Sequence, residues 1–280
     1  MCNDMNSFSF NRFGKTLRWY LGVNARTLLM WMAGICMGTF LLELMMTWGS
    51  NSREIIPLFF TTALLVTYAI CISTIFYGIN KKAKCEAFLT LPASHLEKFL
   101  TAVIYVTFIC GFCLFLSFAV GDTLRMVFRS LFWGDESISA LPKVVEGLIP
   151  RTMSSDEQHV YSLSFRVMNL WVGYSFMMWF HSLYTLGGTF LRKYAFVAAS
   201  VVLIIGLSLL SWVLNHFEIS MFNSQWDGNA YVGEEVGVAA YVLAVVVPLL
   251  SILNYWASFH IFKGFQLINN KWTNYDILKR

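Results

Sequence analysis

Residues 28–48 read LLMWMAGICMGTFLLELMMTW, a run of about twenty residues with one charged side chain, Glu43. A run of that length spans about 30 Å of hydrocarbon at about 1.5 Å rise per residue. The rest of the 280-residue chain repeats the pattern. Apolar blocks follow at about 55–79, 99–120, 167–188, 194–215 and 236–262, so the sequence predicts six membrane spans. Hydrophobic residues make up 57% of the chain and charged residues 13%, with a mean hydropathy of +0.60. A water-soluble domain of this composition could not cover its apolar surface, and disordered, collagen-like and disulfide-rich secreted classes are excluded as well. The first block is too long for a cleavable leader and lacks its small-residue cleavage site.

The basic residues set the orientation, because cytoplasmic flanks retain Lys and Arg. Fourteen of the twenty, among them Arg12, Lys15, Arg18, Arg26, Lys81, Lys82, Lys84, Lys98, Arg192, Lys193 and Lys263, fall on one side of the predicted spans. The other side has six basic residues and eleven of the sixteen acidic ones. Both termini are therefore expected in the cytoplasm of a multi-pass protein of the cell (inner) membrane. The net charge of +4 is distributed by loop, which argues for a bilayer as partner and against nucleic acid. Before the first span, Phe10, Phe13, Leu17, Tyr20 and Leu21 recur at helical spacing opposite Arg12, Lys15 and Arg18. This predicts a separate amphipathic helix over 8–25 lying in the headgroup layer. The longest outer segment, 121–164, is broken by Pro142 and Pro150 and is expected to carry short interfacial helices.

Little within the spans suggests chemistry. Glu43 stands near the outer end of the first span and is expected to reach the interface. His181 reads as a hydrogen-bonded packing residue and His260 as one that snorkels to the inner surface. Cys110 and Cys113 form a CxxC in mid-span, far from any strand and helix of redox type, and are read as packing residues. No HExxH, GxSxG or GxxxxGK[ST] is present, so no catalytic residue, metal or cofactor is expected, nor ATP hydrolysis by this chain. Gly34 and Gly38 make a GxxxG on the first span, a candidate helix-packing contact within or between subunits.

The most informative cytoplasmic stretch is Asn80–Lys98, NKKAKCEAFLTLPASHLEK. Ser94 and Glu97 form a capping box ahead of the third span, and Pro92 ends whatever precedes it. This leaves Lys84–Leu91 as a short element parallel to the membrane. Its apolar Phe88, Leu89 and Leu91 are either covered by a partner or dipped back into lipid.

The order of parts, an amphipathic helix, two spans, a cytoplasmic helical connector and four further spans, resembles the ABC-2 type permeases of bacterial ATP-binding-cassette transporters. The run Phe88–Phe99, FLTLPASHLEKF, is similar to the LPAS-x-x-EKF segment of such membrane proteins. The resemblance implies an all-α integral membrane protein in which the connector is a coupling helix docked on a separate ATPase subunit. Carried over, the docking residues are drawn from Lys82, Lys84, Glu86, Phe88, Leu89 and Leu91. It also implies a homodimer or heterodimer with a second permease and export of an amphipathic or hydrophobic compound. A different class of function stands beside it: a non-transporting scaffold or sensor partner whose outer loop binds a ligand or protein. The chain departs from the family pattern in its outer loops, since the long one follows span three and 217–235 after span five is short.

Overall fold

The computed structural model describes residues 8–49, 55–76, 82–134, 139–148, 163–191, 193–227 and 230–264. These residues are predominantly helical. The elements are α1 (Phe10–Gly49), α2 (Ile55–Ser73), α3 (Lys82–Leu89), α4 (His95–Ile104), a π-helix (Tyr105–Cys110), α5 (Gly111–Trp133), α6 (Leu141–Leu148), α7 (Leu163–Phe190), α8 (Ala195–His216), β1 (Phe222–Asp227), β2 (Ala230–Val236) and α9 (Val238–Lys263).

Among the described residues four helices are long and apolar enough to cross a membrane: Phe10–Met46, His95–Trp133, Ala195–His216 and Val238–Lys263. Leu29, Met37, Phe108, Phe112, Ile204, Leu209, Ile252 and Trp256 are exposed along them, an apolar surface that only lipid or another membrane subunit can cover. The α7 helix, although 28 residues long, is not among the four. Ser175, His181, Ser182, Thr185 and Thr189 lower its hydropathy, and all five are buried between neighbouring helices. It packs on α9, α8 and α2 and forms the centre of that half of the bundle. The remaining apolar helix, Pro57–Ser73, is shorter.

The structure differs from the sequence reading in several places. The amphipathic segment and the first span are one unbroken helix, α1, of 40 residues. No proline interrupts residues 22–28, so nothing in the backbone forces a bend there. The third span continues beyond Val120 to Trp133, which takes three turns from the predicted outer segment. The α2 helix ends at Ser73, six residues before the expected boundary. In the last outer segment β1 and β2 pair antiparallel, from Phe222 opposite Val236 to Asp227 opposite Ala230, so the fold is not purely helical. Of the outer segment 121–164, α6 is the predicted short helix. Its Val144 is fully buried against α2 and α5 beside Phe60 and Phe118, rather than lying free at the surface. The spans over 167–188, 194–215 and 236–262 correspond to α7, α8 and α9 within a few residues.

Close approach of α1 and α5 depends on Gly121. A Cβ there would lie 2.0 Å from Thr39 Oγ1 and 2.9 Å from the carbonyl of Cys36. Gly188 plays the same part between α7 and the end of α2, where a Cβ would lie 2.5 Å from the Ser73 carbonyl. Among the described residues no atom outside α1's own backbone lies within 4 Å of a Cβ built at Gly34 or Gly38, so the GxxxG packs against none of them.

Candidate functional site

The connector between α2 and α4 begins with α3 and turns at Leu91–Ala93 into α4. Ser94 is extended (φ −67°, ψ 159°), as an N-cap must be. Its hydroxyl accepts from the Glu97 backbone N–H at 3.2 Å, and Glu97 Oε2 accepts from the Ser94 N–H at 2.8 Å. The capping box expected from the sequence is thus formed. Glu97 also does something its spacing did not announce. Its other oxygen accepts from the Ser9 N–H at 2.7 Å and from Arg12 Nη2 at 3.1 Å, and the side chain is wholly buried. One carboxylate therefore ties the starts of α1 and α4 together. Next to it, Lys98 turns back and donates to the Leu89 carbonyl at 2.7 Å, satisfying an orphan acceptor at the end of α3.

Phe88 settles the fate of the apolar patch. It is 1% exposed, with its ring 6.3 Å from Trp19, 5.8 Å from Tyr20 and 6.3 Å from Phe262. It belongs to an aromatic core that also contains Phe76, Phe99 and Tyr105. Both expectations for Phe88, a partner contact and a dip into lipid, are therefore corrected: the chain's own α1 and α9 cover it. Leu89 and Leu91 are half-buried, and Leu91 packs against the same core. Of the expected docking residues, Glu86 is the one whose side chain is described as exposed, joined by Ala87, Thr90, Pro92, His95 and Leu96. Lys82 and Lys84 belong to α3, but their side chains lie outside the described residues.

A second charged group lies deep in the chain. Arg125 Nε is 2.8 Å from Glu43 Oε2, and Arg125 Nη2 is 2.7 Å from Asp122 Oδ1. Asp122 Oδ2 accepts from the Ser139 hydroxyl at 2.5 Å and from the Ala140 N–H at 3.1 Å, which caps α6. Glu43 is wholly buried, so it does not reach the interface as expected. The sequence offered a signal that went unused, since Asp122 and Arg125 stand three apart on one helix face.

His181 is hydrogen-bonded, as expected, and its partners come from other helices: Thr107 Oγ1 at 2.8 Å and Tyr255 OH at 2.6 Å. The Thr107 hydroxyl donates to the Val103 carbonyl at 2.7 Å, so it accepts from His181 Nε2–H, and Nδ1 accepts from Tyr255. This joins α7, α9 and the π-helix through one neutral imidazole. His260 is exposed and stacks on Trp256 at 5.7 Å, in line with its expected place at a helix end.

Cys110 and Cys113 are free thiols on the wall of a cavity of about 300 Å³ between α1, the end of α2 and the π-helix, with Cys71 facing them from α2. Among the described residues no three His, Cys, Asp or Glu side chains converge as a metal site would require. Comparison of the chain with models of known protein families, with curated proteins and with solved structures finds no match, so the site's role rests on its own geometry.

Proposed function

We propose that the chain is the membrane subunit of an exporter driven by a separate ATP-binding-cassette ATPase, which docks on the cytoplasmic face of α3 and its turn into α4. The observation that carries this is how the connector is held. A short helix outside the hydrophobic blocks has Phe88 inserted among Trp19, Tyr20 and Phe262, its last turn bonded by Lys98, and Glu97 locked to Ser9 and Arg12. Glu86, Ala87, Thr90 and Leu96 remain exposed on that element. A push on this face is transmitted to α1, α4 and α9 together, because Phe88 cannot move without the rings around it. In this reading α2 and α7 complete six spans, both termini are cytoplasmic, and Gly34 and Gly38 are open to a second permease subunit. No catalytic residue or cofactor of its own is required.

The burial of Phe88 favours a second reading, in which the connector serves only this chain's packing and the protein is a membrane scaffold or sensor partner. The two separate cleanly. Tagged protein extracted in mild detergent brings down an ATPase with a GxxxxGK[ST] loop in the first reading, and the Glu86→Arg, Leu96→Asp double variant loses it while remaining folded. If the wild-type protein brings down no such subunit, the transporter reading fails. Phe88→Asp is a poor test, because it breaks the core in either case.

A further inference from the structure

The cavity of about 300 Å³ between α1, α2 and the π-helix is roughly twice the size of the ~150 Å³ engineered apolar cavity that takes up benzene. Its α1 wall runs from Tyr20 to Ile35. Those fifteen steps rise about 22 Å, so the space is long rather than round. Its polarity changes along that length. Nearer the start of α1 lie Asn24 and Thr74, with Thr27 midway along the wall, whereas Ile35, Cys113 and Leu114 line the far end. The polar groups around the nearer end are largely bonded to the chain itself: Tyr20 OH donates to the Ile75 carbonyl at 3.0 Å, Asn24 Nδ2 to the Tyr20 carbonyl at 3.0 Å, and Thr74 Oγ1 to the Cys71 carbonyl at 2.9 Å. The interior thus offers apolar contact with few open hydrogen-bonding demands, and an apolar space of this size gains by being filled. Trp31, 45% exposed, stands on its wall where α1 meets the lipid-facing surface.

We propose that this slot takes up one acyl chain of an amphiphile from the inner leaflet, with the headgroup beside Asn24 and Thr74 and the chain end against Ile35 and Leu114. A slot that is more polar at its cytoplasmic end and apolar toward mid-membrane matches a single-chain amphiphile, which has the same gradient. The π-helix contributes by widening one turn of the wall at Tyr105–Cys110. The proposal rests on the membrane orientation given above and names a substrate class for the exporter, but it does not need the ATPase.

The test uses the full chain in nanodiscs of phosphatidylethanolamine and phosphatidylglycerol with a photoactivatable palmitic acid as probe. Adducts are expected to concentrate on the Leu28, Met32 and Val106 wall and to be competed by unlabelled palmitate. Met32→Trp and, independently, Leu28→Trp fill the slot and lower labelling there by about tenfold, an ordinary overpacking penalty. Adducts on the lipid-facing Val202 and Ile205 of α8 serve as the internal reference and stay unchanged. In a variant whose only cysteine is Cys113, maleimide labelling slows when palmitate is added. Labelling no denser in the slot than on α8, or indifferent to competitor and to both filling variants, overturns the proposal. So does a bifunctional thiol reagent that joins two copies of the chain through Met32→Cys in a background with the six native cysteines replaced, since a second subunit would then be the occupant. Loss of ATPase capture with slot labelling intact removes the exporter reading and leaves the slot standing.

Discussion

Glu97 shows how much one side chain can hold where α1 and α4 begin. Its two oxygens accept from Ser94, Ser9 and Arg12, so one wholly buried carboxylate serves three partly buried donors. Glu97→Ala is expected to lower stability by about 1–3 kcal/mol, with Glu97→Gln costing less because one oxygen remains. Thermal unfolding in detergent measures this, and equal midpoints for Glu97→Ala and wild type would refute it. The Ser94–Glu97 half of the arrangement was legible, because a capping box is a local spacing rule. The Ser9 and Arg12 half was not, because it joins residues more than eighty positions apart and nothing local specifies that distance. Arg125 is the corresponding case at the other end of the fold. Arg125→Met leaves Glu43 and Asp122 buried without their shared cation, at a cost of about 3–5 kcal/mol. Adding Glu43→Leu should recover part of that loss. A double-mutant cycle that returned simple additivity would show that the short Glu43–Arg125 distance carries no coupling.

Glycines make the sharpest distinction among the elements. At Gly121 a Cβ would collide with Thr39 and the Cys36 carbonyl, so Gly121→Val should force α1 and α5 apart and reduce the yield of folded protein. Gly34→Ala and Gly38→Ala meet none of the described residues and should leave the monomer's stability unchanged or slightly raised, since alanine is the better helix former. Size-exclusion profiles and melting midpoints compare the two sets, and a loss of monomer stability at Gly34 as large as at Gly121 would contradict the packing described. The motif did not point to Gly121 because GxxxG spacing describes one helix, whereas close approach within the chain depends on what the partner helix presents. Helix ends were misread for a related reason. Apolar content marks where a helix meets lipid and not where it stops, so α1 begins about five turns before the predicted span at Leu28 and α5 runs on to Trp133 in the predicted outer segment. The hairpin of β1 and β2 did carry a sequence signal, since Gly228-Asn229 between Asp227 and Ala230 is a favoured two-residue hairpin pair, but the short acidic segment around it reads as an outer loop when only apolar blocks are sought.

For the whole molecule, the decisive question is whether the connector is a part of the bundle or a handle on it. The apolar blocks and the basic asymmetry made a helical multi-pass membrane protein legible from the sequence alone. The direction in which Phe88 points was not, because the aromatic core that receives it is assembled from α1, α4 and α9, three segments distant in sequence. Phe88→Ala should cost about 3–5 kcal/mol and loosen the connector. Glu86→Arg and Leu96→Asp, on exposed positions, should leave the melting midpoint within about 0.5 kcal/mol of wild type in stability. If Phe88→Ala were as mild as the exposed pair, the connector would not be keyed into the core at all. The most direct test of the docking account is site-specific photo-crosslinking in intact membranes from a photoreactive amino acid at position 86, 90 or 96, with position 88 as the buried control. The account predicts adducts at the three exposed positions to a protein whose peptides include a GxxxxGK[ST] loop, and none at position 88. A folded protein that yields no such adduct at any of the three would contradict it.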